Sequence, residues 1–266
     1  MYKLVALDLD DTLLTTDKRV SERNRQALKA CLEAGIDVVT ASGRFNESQL
    51  VFIKEIGLGL EKKVHVGDGG GTIFTEAQVL ETLGAFSPEV YQSVLDQARA
   101  LELPCFVTNG ENVYYDIPDQ PLCGVYGRVK NVRRPYIFEI EDLGAVTTPL
   151  KLIFHYDNPE ELARIYKISH PDIITFHAAR QLMEITLKTL NKFDALKRLG
   201  ERCGVTPQEM VCIGDSENDI PMVKQAGLGM VVKNALDTVK AQADVVGEKT
   251  NDEDGVAWLL EHYVLN

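Results

Sequence analysis

The chain predicts an α/β fold, a parallel-sheet core interrupted by an inserted α+β domain, and three observations carry that prediction. Short apolar strands alternate with amphipathic helical patterns toward both ends of the 266 residues. Polar residues cluster just past several of those strands. The middle of the chain instead strings together alternating and β-branched segments around turns.

In chain order, Lys3-Leu-Val-Ala-Leu is a short apolar strand that stops at Asp8-Leu-Asp10-Asp11-Thr12. Ser21 is placed to cap a helix over residues 22–34, whose Ala27, Leu28, Cys31 and Leu32 share one face before Gly35 ends it. Residues 36–41 read as a continuous apolar strand of the kind covered on both faces, followed by Ser42-Gly43-Arg44 and another helix. The run Gly67-Asp68-Gly69-Gly70-Gly71 reads as a turn or hinge, since it lacks the spacing of phosphate-cradling loops. Ser87-Pro88-Glu89 starts a helix over 90–101. Strands are expected at 105–108 and 112–116 around Asn109-Gly110, then at 136–141, 151–156, 173–177 and 182–187, with a helix over 160–169 among them. The strand-and-helix alternation then resumes with a helix over 192–203 closed by Gly204 and a strand at 210–213. Gly214-Asp215-Ser216-Glu217-Asn218-Asp219 opens the next helix, and short strands follow at 228–232 and 245–246. This places a core domain at 1–82 and 188–266, and an inserted domain at 83–187.

Forty acidic against 28 basic residues give a formal charge of −12, which disfavours nucleic acid as a partner, because phosphate backbones want clustered Lys and Arg. A hydrophobic fraction of 45% provides for a large core. The five cysteines, at 31, 105, 123, 203 and 212, form no Cys-x-x-Cys pair, so neither a zinc site nor a disulfide framework is indicated and a reducing cytoplasm is expected. No uncharged run approaches the ~20 residues of a membrane span, and no apolar leader opens the chain, so no membrane association is expected.

The polar clusters carry the chemistry. In an extended segment residues i and i+2 point to one side, so Asp8 and Asp10 reach the same spot beyond the first strand. Ligands of open parallel sheets bind outside the carboxyl ends of the strands, where Ser42 and Asp215 also fall. Lys192 opens a helix, yet its long side chain can reach the same crevice. Each residue has an ordinary reading as a cap, a turn or a solvated surface group. Their convergence on one crevice is a joint expectation that unrelated caps would not meet. Two carboxylates there invite a divalent cation, one to attack phosphorus and the other to carry a proton. In this reading Asp8 is the nucleophile and Asp10 the acid/base. Asp8, Asp215 and a main-chain carbonyl, that of Asp10, hold Mg2+. Ser42 donates to a phosphoryl oxygen, and Lys192 adds charge. Asn218 fixes the phosphoryl group or Lys192, and Asp219 orients its neighbours or supports the metal.

Asp8-x-Asp10-x-Thr12, Thr40-Ala-Ser42-Gly43-Arg44, Asn191-Lys192 and Gly214-Asp-Ser-Glu-Asn-Asp219 resemble the four motifs of the haloacid dehalogenase superfamily. The long insertion and Asn251-Asp-Glu-Asp-Gly255-Val-Ala257 resemble its Cof-type sugar-phosphatase branch. The resemblance covers almost the whole chain. It implies a Rossmann-like core, a mobile cap that closes over the site, Mg2+ dependence, and phosphatase activity on small phosphorylated metabolites, by a monomer or a small homo-oligomer. It carries the phosphate-side contacts onto Ser42, Gly43, Arg44, Lys192 and Asn218. Asp11 stands where the family usually has glycine, Ser42 where it has threonine, Phe193 where glycine is typical, and Gly69 where Asn-Gly-Ala is expected. Specificity is expected in the inserted domain, where Arg128, Lys130, Arg133 and Arg134 form a basic cluster, either substrate-facing or a solvated surface. Two other readings stay open, a regulatory phospho-acceptor and a phosphomutase. Asp10 two residues past the nucleophile favours hydrolysis over the first, because a dedicated acid/base speeds loss of the phosphoryl group.

Overall fold

A computed structural model describes residues 1–117, 136–179 and 181–266. The basic cluster Arg128, Lys130, Arg133 and Arg134 lies outside them. Internal contacts divide the chain into two units, one of Met1–Arg44, Gln49–Glu81 and Asn191–Asn266, the other of Phe45–Ser48 and Thr82–Leu190.

The first unit is built on a five-stranded parallel sheet. Its strands are β1 (Leu4–Leu7), β2 (Asp37–Thr40), β12 (Met210–Gly214), β13 (Leu228–Val231) and β14 (Val245–Val246), in the order β14-β13-β12-β1-β2. The chain starts in β1, steps to β2 on one side, and much later enters β12 on the other side, so the order reverses between β1 and β12. Crossover connections leave a crevice at the carboxyl ends of the strands flanking such a reversal. Both strands are buried along their whole length, which is why they read as unbroken apolar runs rather than as alternation.

Helix α1 (Glu22–Glu33) begins where expected, with Ser21 Oγ accepting from Asn24 N at 3.1 Å, and presents Ala27, Leu28 and Cys31 to the core. Helix α5 (Lys192–Cys203) is capped by Asn191, whose Oδ1 accepts from Asp194 N at 2.9 Å, and ends at left-handed Gly204. Helix α2 (Asn46–Ile56) belongs to the unit from Gln49 onward, helices α6 (Ile220–Gln225), α7 (Asp237–Lys240) and α8 (Gly255–Tyr263) lie wholly within it, and α8 packs on α1. A further sheet, β3 (His65–Gly67), β4 (Thr72–Phe74) and β5 (Val79–Thr82), was not anticipated from sequence. Strands of three or four residues containing glycine and threonine are too short to show a period, and only the turn between β3 and β4, the glycine run, was legible.

The second unit holds a six-stranded sheet in the order β10-β11-β9-β6-β7-β8. Its strands are β6 (Phe106–Thr108), β7 (Val113–Tyr115), β8 (Ile137–Glu139), β9 (Lys151–His155), β10 (Ile173–Ala179) and β11 (Leu182–Leu187). All described pairings are antiparallel except β7 with β8. Val107, Leu152, Phe154, Met183 and Ile185 face the cluster formed with α3 (Pro88–Ala100) and α4 (Pro159–Ile165). The alternate residues form the other face, where Phe106, Val113 and Ile153 gather with Phe45 and Tyr136 beside a buried Lys151–Glu184 ion pair of 3.1 Å. The packing of Phe45, with Asn46 N donating to Gly110 O at 3.2 Å, groups Phe45–Ser48 with this unit, a long-range contact that no local pattern announces. Helix α4 stops at Ile165 rather than residue 169, because Lys167 and Ile168 close tighter turns onto Arg164 and Ile165.

Beneath the crevice, α6 lies directly on β13. A Cβ built on Gly229 would stand 1.7 Å from the carbonyl oxygen of Val223, which is backbone and cannot step aside. Gly229→Ala is therefore expected to cost at least about 2 kcal/mol, and to lower the thermal midpoint by roughly 5 °C or more, as followed by circular dichroism. An unchanged midpoint would mean that α6 does not sit this close.

Candidate active site

The crevice draws on four segments of the first unit. Beyond β1 the chain enters an irregular turn, Leu9–Leu13, in which Asp10 keeps an extended backbone (φ −69, ψ 128) and Asp11 is left-handed (φ 57, ψ 9). Aspartate is among the few side chains that tolerate that region, so Asp11 can stand where the resembling family usually has glycine. Beyond β2 comes Ser42-Gly43-Arg44, beyond β12 comes Asp215, and α5 opens with Lys192.

Lys192 is fully buried, which excludes its reading as a solvated helix-start residue. Its Nζ donates to Asp8 Oδ1 and to Asp219 Oδ1, both at 2.6 Å. The other oxygen of Asp219 accepts the backbone N–H groups of Asp215 (2.9 Å) and Ser216 (3.0 Å). Asp219 thus anchors both the lysine and the turn after β12. Of the two roles read for Asn218, fixing the phosphoryl group or Lys192, the second falls to Asp219 in this structure: Asn218 Oδ1 accepts from Ser216 Oγ at 2.7 Å, and its amide lies beside Gly43. The glycine at 214 has a steric reason, since a Cβ there would fall 2.5 Å from the Asp219 carboxyl carbon. Thr12 Oγ1 donates to Asp215 Oδ1 at 2.7 Å, tying the first turn to the third.

Asp8, Asp215 and Asp219 each offer an oxygen within 4.8 Å of the others. Three carboxylates face one ammonium, so two negative charges stand unbalanced where Asp8 is 4% and Asp215 9% exposed. Burial pushes the Asp8 carboxyl up to about 7 in spite of Lys192. Burial, with Asp219 and Asp8 nearby, pushes Asp215 up to about 8. Burial alone would discharge Lys192, but the two carboxylates outweigh it and raise its proton affinity. Among the described residues, one oxygen each of Asp8 and Asp215 accepts no hydrogen bond, whereas both oxygens of Asp219 are engaged. An all-oxygen donor set with an excess of two negative charges suits a hard divalent cation. Asp8 and Asp215 are the side chains able to hold it.

Asp10 is held differently. Arg44 forks onto it, Nε to Oδ2 at 2.6 Å and NH2 to Oδ1 at 2.8 Å, and Lys18 Nζ lies 2.9 Å from Oδ1 and 3.2 Å from Asp11 Oδ1. Burial would raise the Asp10 carboxyl, but Arg44 and Lys18 hold it down at about 2. Ser42 is buried, and its Oγ accepts from Arg44 N at 3.2 Å, which leaves the hydroxyl proton for another acceptor. The glycine run, read from sequence as a turn or hinge, fastens this segment: Gly69 N donates to Ser42 O at 2.9 Å and Asp68 N to Arg44 O at 2.8 Å. The structure thus brings Asp8, Lys192, Asp215 and Asp219 together, joins Asp10 to Arg44, and sets Gly43 beside Asn218. Lys18 escaped the sequence reading because an exposed lysine seven residues beyond Asp11 carries no local signal.

Comparison with known proteins identifies the family. A sequence model described as haloacid dehalogenase-like hydrolase matches residues 5–260. A Bacillus subtilis protein named 5-amino-6-(5-phospho-D-ribitylamino)uracil phosphatase YcsE is 27% identical over 269 residues, covering 99% of this chain and 96% of its own. The crystal structure of a haloacid dehalogenase-like hydrolase from Bacteroides thetaiotaomicron is similar with a TM-score of 0.83 at 29% identity, over 98% of this chain and 99% of that one. The chain also matches a longer Arabidopsis thaliana protein named chloroplastic endoribonuclease YBEY at 26% identity over 98% of its own residues, while spanning 46% of that protein. With the match running from the first strand into the last helix, through every segment that builds the crevice, the chain belongs to the haloacid dehalogenase-like hydrolases.

Proposed function

We propose that this chain is a divalent-cation-dependent phosphatase that hydrolyses small phosphorylated metabolites, sugar phosphates foremost, through an aspartyl phosphate on Asp8. The observation that carries the reading is the buried Asp8 carboxylate, oriented at one oxygen by Lys192 and set beside Asp215 and Asp219, so that one ammonium faces three acids. The name of the B. subtilis relative, a phosphatase of a phosphorylated ribitylamino compound, supports a sugar- or polyol-like leaving group.

A phosphate monoester presents a dianion to any nucleophile, so positioning and charge neutralisation dominate its hydrolysis. Lys192 orients the Asp8 carboxylate, one oxygen of which bonds to phosphorus as the ester P–O bond breaks. Ser42 donates its hydroxyl proton to a phosphoryl oxygen, and Lys192, Asn218 and the Gly43–Arg44 segment complete the phosphate contacts. Asp10 protonates the departing alkoxide and then takes a proton from the water that cleaves the aspartyl phosphate. Paired with Arg44 and Lys18, Asp10 is ionised at neutral pH, the form required for the second step. For the first step it must gain a proton, which becomes favourable as the substrate's phosphate competes for Arg44. Mg2+ held by Asp8, Asp215 and the Asp10 carbonyl would cancel the repulsion between carboxylate and phosphate. To the second unit we assign recognition of the substrate beyond its phosphate.

Phosphate release from a panel of sugar phosphates, nucleotides and pyridoxal phosphate tests the reading directly. Wild type with Mg2+ should turn over members of the panel, and Asp8→Asn should lose at least about a thousandfold in kcat while remaining folded. No release by folded wild type would sink the proposal. Asp10→Asn should lose roughly 10²- to 10⁴-fold on alkyl phosphates, with a smaller loss on p-nitrophenyl phosphate, whose leaving group needs no proton. Equal losses on both would remove Asp10 from the donor role.

The acids also set a pH dependence. Asp8 and Asp215 keep their protons up to about 7 and 8, against 3.8 as the ordinary value, so between those limits the folded state binds more protons than the unfolded one. Their contribution to stability therefore falls as pH rises through that window when no cation is bound. In EDTA the thermal midpoint should decline from pH 6 to 8.5. Mg2+ should restore it, by an increment that grows with pH because the cation binds the ionised acids. A pH-independent increment, or none, would contradict the assignment of the cation to these carboxylates.

A further inference from the structure

The turn that carries Asp8, Asp10 and Asp11 leaves backbone carbonyls that no helix or sheet pairs. Three asparagine side chains of the first unit meet them, one from the neighbouring helix α1 and two from more than 200 positions away. Asn234 Nδ2 donates to Asp11 O at 2.7 Å, Asn24 Nδ2 to Leu13 O at 3.4 Å, and Asn251 Nδ2 to Leu14 O at 3.0 Å. The three are tied in turn. Asn251 N donates to Asn234 Oδ1 at 2.9 Å, Ala257 N donates to Asn24 Oδ1 at 2.8 Å, and Asp252 accepts from Thr16 N (2.8 Å) and Thr16 Oγ1 (2.7 Å). The Asn251-Asp252 segment, read from sequence only as a family signature, is thereby given mechanical work.

The loop that holds Asn234 has a second attachment. Two residues on, Leu236 N donates to Asp215 O at 3.0 Å. One short loop after β13 therefore grips the turn after β1 through a side chain and the turn after β12 through its backbone. Thr12, which bonds Asp215 Oδ1, follows directly on the peptide whose carbonyl Asn234 holds. Moving that peptide plane would tilt the Asp10–Asp11 peptide on one side and Thr12 on the other.

Resting on the phosphatase reading, we infer that Asn234 is a positioning residue, a brace that fixes the Asp8–Thr12 turn and Asp215 relative to each other and is itself held by Asn251. It acts through backbone groups and touches no reacting atom. Removing a group that hydrogen-bonds directly to a metal ligand typically costs ten- to a hundredfold, and a brace one peptide away from the Asp10 carbonyl is expected at the low end of that range. Asn234 is exposed, so water can reach the groups that its loss would release, and the change in the fold's stability should be small.

The test compares wild type with Asn234→Ala and with Asn234→Leu, which keeps the side-chain volume without the donor. Expected are a kcat lower by about tenfold or more in both variants, KM within about threefold, and a thermal midpoint within about 2 °C of wild type. Unaltered kcat in either variant, or a loss that tracks a fall in the midpoint, overturns the brace. If folded wild type releases no phosphate, the phosphatase reading fails by itself, and hydrogen exchange of the peptide spanning residues 9–16 decides on the brace. Exchange there should quicken about tenfold in both variants while α1 is unaffected, and unchanged exchange overturns the inference.

Discussion

Lys192, sealed among Asp8, Asp215 and Asp219, is the interaction on which the rest of the crevice depends. An ammonium taken out of water is costly unless carboxylates surround it, and carboxylates so placed are costly unless the ammonium is there. Each partner therefore makes the others tolerable. The balance is deliberately incomplete, because one positive charge cannot cover three negative ones. Burial first, and then the neighbouring acids, raise the proton affinities of Asp8 and Asp215, and the uncovered charge is what a divalent cation and a phosphate ester together would use.

That arrangement makes demands on the scaffold. Glycine is needed at 214 so that Asp219 can lie against the end of β12, and a parallel sheet with its order reversed beside β1 is needed so that Asp8 and Asp215 emerge next to each other. Directly beneath, Leu7, Leu9, Leu13 and Ile213 are completely buried and supply the apolar burial that holds uncompensated acids in place. The site is thus an electrostatically unfavourable cluster mounted on a rigid apolar floor, the usual compromise between stability and activity in a catalytic fold. Asp10 sits outside this compromise, satisfied by Arg44 and Lys18 at the edge of the crevice.

Much of the core was legible because its signals are local. Ser21 caps α1 and Asn191 caps α5 through side-chain oxygens three residues from the N–H groups that donate to them, and Gly204 ends α5 where a left-handed residue is required. Helix α5 and strands β11 and β14 fall on the residues their patterns mark. The sheet of β3, β4 and β5 and the placement of Phe45–Ser48 were not legible. The first is made of strands too short for a period, and the second depends on Phe45 meeting residues about 60 or more positions away.

The same division holds for the site. The sequence by itself determined which residue types stand at the strand ends, since a carboxylate after β1, a hydroxyl after β2 and a glycine-acid turn after β12 are fixed by spacing along the chain. Only the tertiary structure decided how they pair: that Asp219 and not Asn218 holds Lys192, that Arg44 and Lys18 claim Asp10, and that Asn234 and Asn251 hold the turn. Lys192 and Asp8 are 184 positions apart, and Asn234 and Asp11 are 223 apart. Over such distances no backbone periodicity links two side chains, and their hydrogen bonds exist only once the sheet order has brought their loops to one edge.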